Sequence, residues 1–237
     1  MLFKGHKAQS FVEFALVIPV LILVLMGVVE LTLYIGTYIN LVDLTREAAR
    51  FASVRDPFDL ASQSAKTSCN DTVNFNFYFD TACIFSQLKG SPSCAYAAFC
   101  NGFNSTVPLK TNEDDILISV YTVSGNILTN QWPAPDGVWV WSDNDPDTAH
   151  NDNWRRDCDR QATPGAATPF LSKADVEAYM RSGAVQSKGF VVVEVYYCYH
   201  QALNAPVLSQ LLPNPVTMHT YTIMPLPAAA PTPTPKP

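Results

Sequence analysis

The sequence predicts an α+β protein in which a long amino-terminal transmembrane helix is followed by a small antiparallel β-sheet head domain, stabilised by disulfides. Three observations carry that class. The run from Phe14 to Gly36 is apolar except for one ionisable side chain, Glu30. All six cysteines, Cys69, Cys83, Cys94, Cys100, Cys158 and Cys198, come after it. Beyond Asn70 the chain contains stretches that alternate apolar and polar residues, or that are rich in β-branched and aromatic ones, as strands are. Composition narrows the class further. With 237 residues, 48% hydrophobic, 15% charged and a net charge of −6, the chain is too apolar and too weakly charged for disorder. Its acidic balance offers no basic face to a nucleic acid.

The first element is the helix. About 23 residues at ~1.5 Å rise make roughly 35 Å, enough to cross ~30 Å of hydrocarbon. A cleaved signal peptide would have a shorter apolar core followed by small residues, whereas this run leads into Tyr34, Tyr38 and a polar helix. Pro19 is expected to kink the helix without ending it. Leu41, Leu44, Ala48, Phe51 and Ala52 then recur at helical spacing. The helix is therefore expected to continue to about Val54 and to stop before Asp56-Pro57, because the residue ahead of a proline resists helical geometry. The apolar face of this extension is read as the core of the head. Basic residues flank the span on both sides and do not orient it. The cysteines do, since an even number confined to one side suits an oxidising compartment. The head is thus expected outside, on a single pass through the inner, cytoplasmic membrane.

In the head, strands are expected at Val73–Phe79, Ile116–Val123, Gly189–Tyr199 and Val216–Met224. Helices are expected at Ser172–Arg181 and, bounded by prolines, at Ala205–Pro213. No C-x-x-C pair occurs, so disulfides are preferred over a metal site; six cysteines leave 15 pairings open, among which proximity favours Cys94 with Cys100 and the two late cysteines, Cys158 and Cys198, are free to pair with each other. The segment around Gln131–Thr168 holds all four tryptophans, Trp132, Trp139, Trp141 and Trp154, beside many aspartates. Asp143, Asp145 and Asp147 recur at every second position, as calcium-loop ligands do, but the glycine and glutamate of such a loop are missing. A solvated Asp/Asn turn is the preferred reading there, with calcium as the cation the spacing would admit and no cofactor required. Residues 225–237 form a proline-rich tail expected to be disordered. The organisation that results is a leader-like segment at 1–8, the membrane and amphipathic helix at 9–55, the head at 56–224 and the tail. No nucleophile elbow, phosphate loop or H-E-x-x-H is present, and the chain is read as no enzyme.

One more pattern lies in the first fifty residues. Gln9, the Val12-Glu13-Phe14 triplet, Ala15-Leu16-Val17, Pro19 within the apolar run, Gly27 followed by Glu30, and Arg46-Glu47-Ala48-Ala49-Arg50 come in that order. Together, from Lys7 to Arg50, they resemble the TadE-like family of tight-adherence (Flp) pilus assembly proteins, whose members look like pseudopilins. The resemblance implies a prepilin-type peptidase cutting between Ala8 and Gln9. Glu13 would then be the fifth residue of the mature chain and would meet the free amine of a neighbouring subunit. A carboxylate in apolar surroundings is costly unless a charge meets it. Glu30 has two readings, snorkelling to lipid headgroups, which is preferred, and helix–helix packing within an assembly. The expected function is a membrane-anchored, pseudopilin-like component of type IV-like pilus assembly or a related secretion system. Its partners would be the membrane, other pilus or secretion-system subunits and a prepilin peptidase, with no nucleic acid. The alternative is a single-pass anchored binding module whose Trp/Asp-rich loops hold a glycan or a calcium-dependent ligand.

Overall fold

The computed structural model describes residues 6–59, 64–88, 90, 99–104, 107–124, 127–134, 137–145, 153–155, 158, 171, 173–181, 189–204 and 213–226. A single helix, α1, runs for 48 residues from His6 to Ser53 with Pro19 inside it. It ends just ahead of Asp56-Pro57, where proline geometry requires a stop. Its first half carries Phe11, Phe14, Val17, Leu21, Val24 and Val28 on the surface. Its second half packs on the head, where Leu41, Thr45, Ala48, Ala49 and Ala52 are fully buried. At ~100° per residue, Tyr34, Leu41, Thr45, Ala48 and Ala52 all lie within about 60° of Glu30, so one stripe of the helix makes most of the contact, with Ala49 about 100° round at its edge. The alanines in that stripe let the helix backbone come close to the sheet.

The sheet is antiparallel with the order β2-β1-β4-β5. Its strands are β1 (Asp115–Ser124), β2 (Ile127–Trp132), β4 (Gly189–Tyr199) and β5 (Val216–Leu226), and a short β3 (Trp139–Val140) also pairs with β1. The strand alternation divides the core in two. Ile116, Ile118, Val120, Val191, Val193, Val195 and Met218 face α1 and the short helix α2 (Phe77–Cys83). Tyr121, Phe190 and Val192 face the other way and pack with Leu171 and Val176, the latter on α4 (Lys173–Arg181). Burial on both faces is why β4 reads GFVVVEV, a nearly continuous apolar run rather than an alternating one. Thr45 Oγ1 meets Thr220 Oγ1 at 2.9 Å, a polar pin between α1 and β5 inside the packed layer.

The expected long helix, antiparallel sheet and disulfides are all present. Strands at 116–123, 189–199 and 216–224, and the helix ending at Arg181, stand where the sequence placed them. The strand expected at Val73–Phe79 does not form. Asn76 is instead an N-cap whose Oδ1 accepts from Phe79 N, while Asp80 Oδ2 accepts from Asn76 N, and α2 begins at Phe77. The alternation of VNFNFYF imitates a half-buried strand, but reciprocal Asn–Asp capping satisfies the first-turn amides that a helix leaves open. Sequence reading passed over β2, β3 and the four-residue α3 (Trp141–Asn144). The helical connection expected at 205–213 lies outside the described residues except for Pro213.

Two disulfides join described residues, Cys69–Cys83 and Cys158–Cys198. Cys100 is disulfide-bonded as well. The pairing expected between it and Cys94 lies outside the described residues because Cys94 does. Lys66 Nζ and Asp80 Oδ1, 2.5 Å apart, repeat the Cys69–Cys83 tie one helical turn earlier on α2. Because α1 supplies part of the core, a fragment starting at Asp56 is expected to show no cooperative melt by circular dichroism. One starting at Val28, kept in mild detergent, is expected to melt cooperatively, and equal melting of the two would contradict the shared core.

Candidate functional site

The junction between the membrane half of α1 and the head is built on Glu30. Its side chain is turned to the head and only 7% of the residue is exposed. Oε1 accepts hydrogen bonds from the Tyr199 hydroxyl at 2.7 Å and from Ala202 N at 3.0 Å, and Oε2 accepts one from Leu203 N at 3.0 Å. All three donors are neutral. They come from the end of β4 and the residues just after it, so the carboxylate fastens the β4–β5 connection to the helix. The Tyr199 ring stands edge-on to Tyr34, one helical turn beyond Glu30, with centroids 5.4 Å apart. The connection is itself closed by Asn214, which accepts from Gln201 N and donates to Asn204 Oδ1. A buried carboxylate without a cation is tolerable only where donors replace its lost water, and here two backbone amides and a phenol do so.

Neither snorkelling nor packing against a second helix describes this geometry within the chain. The preferred sequence reading of Glu30, a headgroup-seeking side chain, is corrected, because its partners lie about 170 residues away in sequence. Periodicity along α1 carries no information about them. Glu13 lies on the exposed part of α1, and Ala8 and Gln9 are in its first turns.

A second polar knot, which sequence reasoning missed, precedes β1. Asp114 is buried, and its Oδ1 and Oδ2 accept from Cys198 N at 2.7 Å and Lys110 N at 2.6 Å. Asp115, also buried, accepts from Ser142 N and Ser142 Oγ and so anchors the start of α3. Glu113 Oε1 holds Lys110 Nζ and His200 Nε2. Asn153 Nδ2 closes the knot on the carbonyls of Thr111 and Asp114. The acidic triplet Glu113-Asp114-Asp115 ahead of an apolar run was the available signal. Burial pushes the Asp114 carboxyl up to about 8, against the two backbone amides that favour its anion. For Glu113, burial acts upward but is outweighed by Lys110 and His200, and the carboxyl lies below its usual range.

Trp141 is core, Trp132 and Trp139 pack half-buried against that core, and the Trp154 side chain lies outside the described residues. Trp141, 1% exposed, packs against Phe99 with centroids 4.3 Å apart and against Phe79 and Trp139, while Trp132 meets Phe58 edge-on. Asp143 lies in α3 and the buried Asp145 just after it, whereas Asp147 is outside the described residues. Among the described residues no three His, Cys, Asp or Glu side chains come together to hold a metal.

Fold and junction together define a class, a head of one sheet docked on a helix that is long and apolar enough to cross a membrane. Residues 8–50 match the family model described as TadE-like protein. The matched stretch is α1 up to its last turn and coincides with the segment whose residues carry the resemblance. No curated protein and no solved structure matches the chain.

Two measurements check these knots. Glu30→Ala and Tyr199→Phe are each expected to destabilise the protein, the latter by about 1.5–3 kcal/mol, the usual worth of a hydrogen bond to a charged group. A double-mutant cycle should return a coupling of similar size, and additive effects would show that the contact contributes nothing. Asp114 titrates near 4 when unfolded and near 8 when folded. Its contribution to stability is therefore complete below about pH 4 and is lost as pH rises towards 8. The melting temperature of Asp114→Asn should fall less than that of the unmodified protein between pH 5 and 8, and parallel profiles would refute the assignment.

Proposed function

We propose that the protein is a membrane-anchored, pseudopilin-like component of tight-adherence pilus assembly or a related secretion system, with its head outside the cytoplasm. The observation that carries this reading is the apolar surface of the TadE-like helix. Beginning after Glu13, about 20 residues fill the hydrocarbon and reach Leu33. Ile35 and Ile39 lie beyond that point and are still exposed on the side of α1 away from the head. At ~100° per residue Ile39 is about 180° from Glu30, opposite the docked stripe. A helix serving only as an anchor gains nothing from apolar residues there. A helix that is received by neighbouring helices does, because they cover the face.

In this reading a prepilin peptidase cuts between Ala8 and Gln9, and Glu13 then meets the new amine of an adjacent subunit. Glu30, held inside its own chain, fixes how the head sits on the helix when the subunit enters the assembly. The disulfides suit a head exposed to an oxidising compartment. The role is structural: no reaction is assigned to the head and no cofactor is required.

Amino-terminal mass analysis of the protein from its native host is expected to find a mature chain starting at Gln9, and the full-length chain when the peptidase is absent. Glu13→Ala and Ile39→Lys are each expected to abolish piliation while leaving the disulfides and the melting of the head intact. An uncleaved chain together with normal piliation in both variants would overturn the proposal.

A further inference from the structure

A notch of about 290 Å³ opens where α1 leaves the head, with Gly27, Glu30, Leu31 and Tyr34 on the helix side and Tyr199, Gln201 and Val216 on the head side. Its position decides what surrounds its mouth. Gly27 and Leu31 belong to the apolar run, inside the stretch of about 20 residues that fills the hydrocarbon. The mouth therefore opens to lipid tails in the leaflet nearest the head, and not to water.

The lining is mostly apolar, and its one neutral polar side chain besides the tyrosines, Gln201, donates from Nε2 to the Pro213 carbonyl at 3.3 Å. Leu31 and Val216 are aliphatic, and Tyr34 and Tyr199 contribute ring surface. Glu30 is the one charged group in the wall, but its oxygens are taken by the Tyr199 hydroxyl and the Ala202 and Leu203 amides. A water molecule needs two to four polar partners to stay in such a space, and apolar cavities of ~150 Å³, about half this size, are known to stay dry and to take apolar ligands. The helix leaves the floor open, since a Cβ built on Gly27 would meet nothing within 4 Å.

We propose that this notch is a lipid subsite that takes an acyl chain of a phospholipid from the leaflet nearest the head. The chain lies against Leu31, Val216 and the two tyrosine rings and covers the Glu30 hydrogen bonds from the membrane side. The low dielectric it brings strengthens those bonds, so bound lipid and head orientation support one another. The proposal rests on α1 being a membrane anchor and is independent of pilus assembly.

The test uses the full-length protein in phosphatidylcholine vesicles that contain a fraction of phosphatidylcholine with a photoactivatable diazirine on its acyl chain. Labelled residues are located by mass spectrometry. Label is expected on Tyr199 and Val216 of the head as well as on Leu21, which any bilayer-embedded α1 exposes. Gly27→Leu, which projects a side chain into the notch, is expected to remove the label from Tyr199 and Val216 and to leave Leu21 labelled. Label on Leu21 with none on the two head residues would overturn the proposal, as it would if a side chain of a second copy filled the notch. Head labelling that persists in Gly27→Leu would also overturn it. Absence of label from Leu21 as well would overturn the membrane-anchor reading, and the subsite with it.

Discussion

The Glu30 carboxylate is where one helix changes surroundings, and the relation between anchor and head depends on it. On the amino side of Glu30, α1 exposes apolar side chains all round; beyond it, one stripe of the helix is taken up by the sheet. A charge at that boundary would ordinarily face water or a cation. Instead it receives a phenol and two amides from the end of β4 and the connection that follows. Packing alone would allow α1 to slide or turn against β4 and β5, since dispersion contacts are not directional. Three hydrogen bonds converging on one carboxylate fix both the register and the rotation of the helix on the head.

The head has matching constraints at the same end of β4. Asp114 receives the amide of Cys198, Cys198 is tied to Cys158, and Asp115 holds Ser142. The sheet is thus fastened near the last turn of β4 by the acid knot on one side and by the Glu30 clamp on the other. Tyr199, directly after Cys198, is shared between them. Its hydroxyl reaches Glu30 while its ring lies in the main core beside Tyr34. Both constraints act on β4, an interior strand whose neighbours β1 and β5 pair with it along most of its length.

How much of this was legible depended on whether the signal was local. The helix, its end before Asp56-Pro57 and the strands at 116–123, 189–199 and 216–224 are written in short-range periodicity and β-branched content. They stand in the structure as the sequence implies. Val73–Phe79 misled because alternation and capping were both present, and Asn76 with Asp80 decided in favour of the helix. The junction was only half visible. Glu30 stood out as the lone charge in an apolar run, but its partners at Tyr199, Ala202 and Leu203 are brought to it by the fold. The acid knot was hidden for the same reason: Asp114 and Asp115 look like solvated turn residues until β4 and α3 close over them.

The face of α1 turned away from the head records a further boundary. Up to Ile39 it is apolar; within about one turn it becomes Asp43, Arg46, Glu47 and Arg50, joined as exposed ion pairs between Asp43 and Arg46 and between Glu47 and Arg50. Such pairs contribute little to stability, so they mark where that face meets water more than they hold anything together. The head, by contrast, begins at Glu30. Ile39 is nine residues beyond Glu30, about 14 Å along the helix, with the head on one side and an uncharged surface on the other. A lone subunit would leave the outer part of that surface against water. Neighbouring helices would remove it from water without any change in the head, because the stripe that docks the head and the face left for neighbours lie on opposite sides of the same rigid helix. The clamp at Glu30 keeps those two sides from exchanging.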